Sequence, residues 1–123
     1  MTTQPSFPHL QLRVKFSSSA AFGPGKADLL ELIAATGSIS AAARRMRMSY
    51  KRAWQLVDAM NGCFRTPLVT TAAGGAQGGG ATLTAAGSRV LAAYRTMQRK
   101  AEAAAQREYA TRLQLSKRQR SKA

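Results

Sequence analysis

Residues 37–61, GSISAAARRMRMSYKRAWQLVDAMN, constrain the fold more than any other stretch of the chain. Serine favours the start of a helix because its hydroxyl accepts a hydrogen bond from a free backbone N–H group. Ser38 or Ser40 can cap a first helix and Ser49 a second one, so the first helix has room for only about two turns. Its inward positions are Ala42, Ala43 and Met46.

Apolar residues recur at helical spacing over residues 50–64, which predicts a second helix directly after the first. These residues are Ala53, Trp54, Val57 and Met60. Arg47 or Met48 must lie in the connection, where glycine often supplies a left-handed backbone. Either the turn is wide or one residue accepts modest strain. Two short helices joined in this way are typical of a helix-turn-helix.

The outward-facing positions of this motif carry cationic side chains. Residues 44–52 carry five of them and no anion: Arg44, Arg45, Arg47, Lys51 and Arg52. The whole chain has 19 Lys and Arg against 5 Asp and Glu, a formal net charge of +14 at pH 7. Such an excess indicates an anionic partner, either nucleic acid or a membrane surface. Alternatively, residues 37–61 form an ordinary helical hairpin whose basic face is only exposed to solvent.

The composition favours a single domain in the cytoplasm. The chain of 123 residues is long enough for a modest core. Cys63 is the only cysteine, so no intrachain disulfide can form, which suits a reducing compartment. The start of the chain lacks the basic and apolar regions of a secretory signal, and no apolar run approaches the roughly 20 residues of a spanning helix. We therefore expect no membrane association.

The segment before the motif begins with alternating residues 10–16, LQLRVKF, which predict a strand with one buried face. That face consists of Leu10, Leu12, Val14 and Phe16. Residues 17–25 should form a connector, and Pro24 suits the first turn of a helix that Gly37 ends. The apolar face of this helix is formed by Leu29, Leu30, Ile33 and Ala34.

The segment after the motif predicts a hairpin over residues 67–84, because two β-branched stretches flank the loop GGAQGGG. The loop lacks the Lys-Ser or Lys-Thr pair of a phosphate-binding loop. A flexible hairpin tip that comes close to another backbone is a better explanation of the glycines, because glycine has no side chain to intervene. A plain mobile loop without contacts is the alternative.

A long helix should follow over residues 85–115, capped by Thr84. It carries an apolar seam with spacings of three and four that suits helix-on-helix packing. We expect a homodimer formed through the strand and this helix, by Leu12, Val14, Val90, Tyr94, Met97, Ala101 and Ala104. The fold class is mainly α with a small β component. Residues 1–9 and the basic tail 116–123 are expected to be disordered, and residues 10–84 form the domain.

Catalysis and metal binding are not expected. His9 is the only histidine, Cys63 is the only cysteine, and the five carboxylates lie on distant elements. No set of these residues has the spacing of metal ligands or of a nucleophile with its base. We therefore expect no cofactor.

Three segments of the sequence together closely resemble those of one family. They are FGPGKADLLELIAATGSISAAARRMRMSYKRAWQLVDAMN, the following PLV and the glycine hairpin. The family is the N-terminal winged-helix domain of ModE-type molybdate-responsive transcription regulators, which are distantly related to LysR-type domains. The resemblance implies that the helix starting at Ser49 enters the major groove of double-stranded DNA and that the hairpin is a wing on the adjacent backbone or minor groove. The DNA-binding residues it implies are Ser38, Ser40, Arg44, Arg45, Ser49, Tyr50, Lys51, Arg52, Gln55, Thr71, Gly74, Gly75, Gln77, Gly78 and Gly79. Unlike many members, this wing carries no charge.

This chain is expected to differ from full-length members of the family in its response to molybdate. Full-length members bind molybdate in C-terminal β-barrel domains, whereas this chain stops after its long helix. We therefore expect a stand-alone, sequence-specific, dimeric DNA-binding regulator that does not bind molybdate by itself. One alternative is a nonspecific architectural DNA- or RNA-binding protein that uses charge alone. Another is an adaptor whose long helix pairs with a separate sensor subunit.

Overall fold

The computed structural model describes residues 9–72 and 80–111, except for the side chains of residues 110 and 111. The described part contains four helices and two antiparallel hairpins. In chain order the elements are β1 (Val14–Lys15), β2 (Ala21–Phe22), α1 (Pro24–Thr36), α2 (Ile39–Arg45), α3 (Tyr50–Cys63), β3 (Val69–Ala72), β4 (Gly80–Leu83) and α4 (Ala85–Thr111). This is a winged helix with a long C-terminal helix, and the predicted fold class is confirmed.

Helix α1 lies at the centre of the core and packs against α2, α3, β4 and α4. Pro24 stands in its first turn and Gly37 ends it in the left-handed conformation at φ 72°, as the sequence predicts. The largest fully buried side chains are Leu29, Leu30, Ile33, Val57, Met60, Leu68 and Tyr94. Ala34, expected on the same apolar face, is exposed near the end of the helix.

The prediction for residues 10–16 is wrong in part. Only β1 is a strand, and it pairs with β2 in the segment expected to be a connector. The serines make the turn: the Ser17 hydroxyl accepts from the Ala20 N–H at 3.1 Å. Phe22 is buried and packs edge-to-face on Tyr94, so β2 supplies the apolar anchor expected from the first strand. Phe16, expected inside, is 49% exposed. Leu10 is also exposed, while Leu12 and Val14 are half-buried.

Helix α4 is joined to α1 by Arg95. Its guanidinium contacts Asp28 Oδ1 at 2.7 Å and Glu31 Oε1 at 2.6 Å. Burial lowers the pKa of Arg95, but hydrogen bonds to the two carboxylates outweigh burial and hold the pKa above its ordinary value. The long helix is therefore fixed to the domain along its first half.

The expected seam of α4 is used partly inside the protomer. Tyr94 is 1% exposed, and its hydroxyl donates to the Leu12 carbonyl oxygen at 2.5 Å. Val90 packs against the same core. Tyr94 and Val90, expected in the dimer interface, therefore pack against the core of their own protomer. Met97 is 43% exposed, Ala104 is exposed, and Ala101 is half-buried.

Candidate nucleic-acid interface

The first helix of the motif begins at a serine cap. Ser38 is the N-cap of α2, and its hydroxyl accepts from the Ala41 N–H at 3.0 Å. The sequence left this role open between two serines. Ser40 instead lies inside α2, exposed, where its hydroxyl accepts from Arg44 Nη1 at 3.2 Å. Arg44 and Arg45 are both exposed in the last turn, opposite the buried Ala42 and Ala43.

The turn between α2 and α3 is a Schellman motif. The N–H of Met48 donates to the Ala43 carbonyl at 3.0 Å, and the N–H of Arg47 donates to the Arg44 carbonyl at 3.1 Å. The residue that glycine usually fills in this motif is Arg47, with φ 58°. The tight turn with one strained residue is thus confirmed.

Helix α3 separates a buried face from an exposed one. Ser49 caps it by accepting from the Arg52 N–H at 3.0 Å. The buried positions are Ala53, Val57 and Met60. The exposed positions of the first two turns are Tyr50, Lys51, Arg52 and Gln55. Trp54 is half-buried and packs edge-to-face on the exposed Tyr50 ring, with centroids 6.2 Å apart. The cap and the helix start direct free N–H groups and positive dipole toward the same side as these cations.

The wing is held against the end of α1. Strands β3 and β4 pair in antiparallel register, with Thr71 opposite Ala81 and exposed. The Ala81 N–H donates to the Gly37 carbonyl at 2.9 Å, which joins β4 to the corner between α1 and α2. The other predicted wing residues, Gly74, Gly75, Gln77, Gly78 and Gly79, lie outside the described residues.

Asn61 is a positioning residue that the sequence analysis missed. Its Oδ1 accepts from the N–H groups of Leu68 at 2.8 Å and Val69 at 3.1 Å. Its Nδ2 donates to the Val69 carbonyl at 3.1 Å. These bonds join the last turn of α3 to the base of β3. A signal was present, because Asn61 follows Val57 by four residues and so places a polar side chain near the inward face of α3.

Within residues 9–72 and 80–111, no three His, Cys, Asp or Glu side chains come together in a way that could hold a metal ion. In the same part of the chain, no helix combines the length and the apolar character needed to cross a membrane.

Comparison with known proteins identifies the domain. The family described as bacterial regulatory helix-turn-helix protein, lysR family, matches residues 26–88, which include most of α1, both helices of the motif and the wing. Among similar curated proteins, MopB, a molybdenum-pterin-binding protein of Rhodobacter capsulatus, is 52% identical over 63% of this chain and 28% of its own length.

Two relatives carry the name ModE. The molybdenum transport protein ModE of Azotobacter vinelandii is 49% identical over 57% of this chain and 26% of its own length. The DNA-binding transcriptional dual regulator ModE of Escherichia coli K12 is 40% identical over 68% of this chain and 32% of its own length. The chain thus spans about a third of these relatives or less, and the predicted ModE-like resemblance is confirmed. The chain belongs to the lysR family of bacterial regulatory helix-turn-helix proteins.

Proposed function

We propose that this chain is a transcriptional regulator that binds double-stranded DNA at specific sequences, with α3 in the major groove and the wing along the adjacent backbone. The observation that carries this proposal is the exposed start of α3. Tyr50, Lys51, Arg52 and Gln55 all face outward from a helix whose opposite side is locked in the core. Tyrosine and glutamine make directional contacts that binding by charge alone does not require.

The cations of the motif have two roles in this proposal. Arg44 and Arg45 lie on α2, the helix that crosses the backbone in this motif, so they contact phosphates and carry no sequence information. Lys51 and Arg52 lie in the first turn of α3, from which side chains reach base edges. One of these two pairs with guanine O6 and N7.

Selection of binding sites from random duplexes, followed by affinity measurements, tests the proposal. Replacing Arg44 or Arg45 with alanine should weaken binding to the selected site and to random DNA alike. Each loss should reduce the slope of log affinity against log salt by about 1. Replacing the base-contacting residue among Lys51 and Arg52 should cost about 1 to 3 kcal/mol on the selected site and much less on random DNA. Equal losses on both DNAs for all four variants would favour the architectural alternative.

We also propose a homodimer that uses the outer face of α4. The support is Met97, a large apolar side chain that is 43% exposed on a helix otherwise rich in charge, and Ala104, which is exposed further along the same helix. Twofold proteins suit operators with two half-sites. Sedimentation of the full chain should show a dimer at tens of micromolar, an order of magnitude typical for stable dimers.

A pair of variants localises the interface. Met97→Glu should shift the sedimenting species to monomer. The matched control Ala92→Glu introduces the same charge at an exposed residue on a different side of the helix and should leave the protein a dimer. A monomeric wild-type chain would remove the homodimer and would leave the adaptor, with α4 paired to another subunit, as the alternative.

A further inference from the structure

A basic cleft of about 350 Å³ opens between the start of α1 and the first two turns of α3. Three cations line it from three parts of the chain: Arg13 before β1, Lys26 in α1 and Arg52 in α3. Met48 and Leu56 also line it, and none of the lining residues is acidic. The cleft therefore combines a concave surface with positive charge, which favours the binding of an anion.

Main-chain geometry at the start of α1 adds to this field. The N-cap residue Gly23 makes no side-chain cap bond, so the first N–H groups of the helix have no side-chain acceptor there. Lys26 is held at the cleft because its Nζ donates to the Ala21 carbonyl at 2.6 Å. The Arg13 side chain crosses Gly23 closely: a Cβ at Gly23 would lie 3.5 Å from Arg13 Cγ. These positions converge on the positive end of the helix dipole.

The protein does not neutralise this charge itself. The two acidic residues of α1, Asp28 and Glu31, both contact Arg95 on α4. Among the described residues, Arg13, Lys26 and Arg52 form no ion pair. An external anion can therefore enter without displacing an internal carboxylate.

We propose that this cleft seats a phosphate of the DNA backbone, in a contact that extends beyond the helix-turn-helix motif to Arg13 and Lys26, and this inference rests on the DNA binding proposed above. Arg52 belongs both to the cleft and to the exposed face of α3, so a phosphate in the cleft lies beside the groove that α3 enters. The Arg52 guanidinium then donates hydrogen bonds to a DNA phosphate, and Lys51 is the residue of the pair that contacts a base.

Gly25 offers a sharp test because it lines the cleft and a Cβ there would meet no atom within 4 Å. Gly25→Asp places an anion in the cleft and also near the start of α1, where a negative charge favours the helix. We expect its melting temperature to equal or exceed that of the wild type while its DNA affinity falls. Gly25→Asn has nearly the same shape without the charge, so it should bind DNA more tightly than Gly25→Asp.

The measurement is fluorescence anisotropy of the full chain on a short duplex of random sequence over a range of salt concentrations. Gly25→Asp and Arg13→Ala should each reduce the slope of log affinity against log salt by about 0.9, the contribution of one phosphate. By the same relation, each should bind about eightfold more weakly at ~0.1 M salt. The matched control is Arg99→Ala, which removes one exposed cation from α4, away from the cleft, and should change neither quantity.

The outcomes separate this inference from the proposed function. If Gly25→Asp and Arg13→Ala bind random DNA as the wild type does, while Lys51→Ala weakens binding to the selected site, the cleft proposal is overturned and the proposed function stands. If the wild-type chain binds no duplex at all, the proposed function itself fails. Calorimetry with inorganic phosphate tests the alternative that the cleft binds a free phosphate ion. Saturable phosphate binding that Gly25→Asp abolishes, combined with unchanged DNA binding, would assign the cleft to a free anion and overturn the backbone contact.

Discussion

Gly87 in α4 lies directly against the main chain of Leu68, so closely that a Cβ on Gly87 would overlap the Leu68 carbonyl oxygen. The same carbonyl accepts from the Thr84 N–H at 2.9 Å and is therefore fixed. Gly87→Ala should destabilise the domain by about 2 kcal/mol, because main chain rather than a flexible side chain must move. Urea unfolding measures this change.

The matched control for Gly87 is Gly62→Ala in α3, where a Cβ would meet no atom within 4 Å. The same substitution there should stabilise the protein by about 0.5 kcal/mol, because alanine loses less backbone freedom on folding. Similar effects at both glycines would contradict the close contact between α4 and Leu68.

Arg47→Gly should raise the free energy of unfolding by about 0.5 kcal/mol. A left-handed backbone costs an L-residue about 1 to 2 kcal/mol, and the greater freedom of glycine in the unfolded chain offsets part of the relief. Arg45→Gly, at the right-handed last residue of α2, should instead lower the free energy of unfolding by about 0.5 kcal/mol. Thermal or urea unfolding of the two variants compares them directly, and a loss of stability in Arg47→Gly would argue against the strained turn.

Asn61→Ala should lower the free energy of unfolding by about 2 kcal/mol. It leaves the N–H groups of Leu68 and Val69 without their side-chain acceptor at a half-buried place. Asp58→Ala, on the exposed side of the same helix, should change stability by less than about 0.5 kcal/mol. Amide chemical shifts of Leu68 and Val69 should move only in the Asn61 variant. Unchanged shifts would mean that the wing does not depend on this side chain.

Calorimetry of the chain with molybdate or tungstate should show no saturable, stoichiometric binding that resists competition by phosphate. The resemblance to ModE-type regulators implies that their oxyanion site lies in domains beyond the region matched here, and this chain spans 26% to 32% of the two ModE relatives compared. Weak binding that phosphate displaces would be consistent with the basic cleft. Tight and selective molybdate binding would contradict the prediction.

The elements that local chemistry determines could be predicted from the sequence. Serine caps and helical spacing located α2 and α3, and Gly37 and Thr84 marked the end of α1 and the start of α4 as observed. Features that depend on distant contacts could not. The alternation of residues 10–16 suggested one long buried face, yet Phe22 from the serine-rich segment fills that part of the core.

The candidate site shows the same division. The exposure of Lys51, Arg52 and Gln55 follows from helical periodicity, which can be read from one short stretch of the sequence. The basic cleft does not, because Arg13, Lys26 and Arg52 line one cleft only when the segment before β1, α1 and α3 come together in the fold. Likewise Tyr94 has the spacing of an intersubunit seam, but the folded N-terminal segment provides its partner, the Leu12 carbonyl.

The three hydrogen bonds of Asn61 make α3 and the base of the wing a single rigid unit. In the proposed complex with DNA, this unit would hold the bases that face α3 and the backbone that faces the wing at a constant separation along the duplex. Inserting one base pair between those two sites on an operator would rotate them out of phase, and the protein would have to give up one contact to keep the other. Loosening this joint would trade discrimination between operators for tolerance of altered spacing.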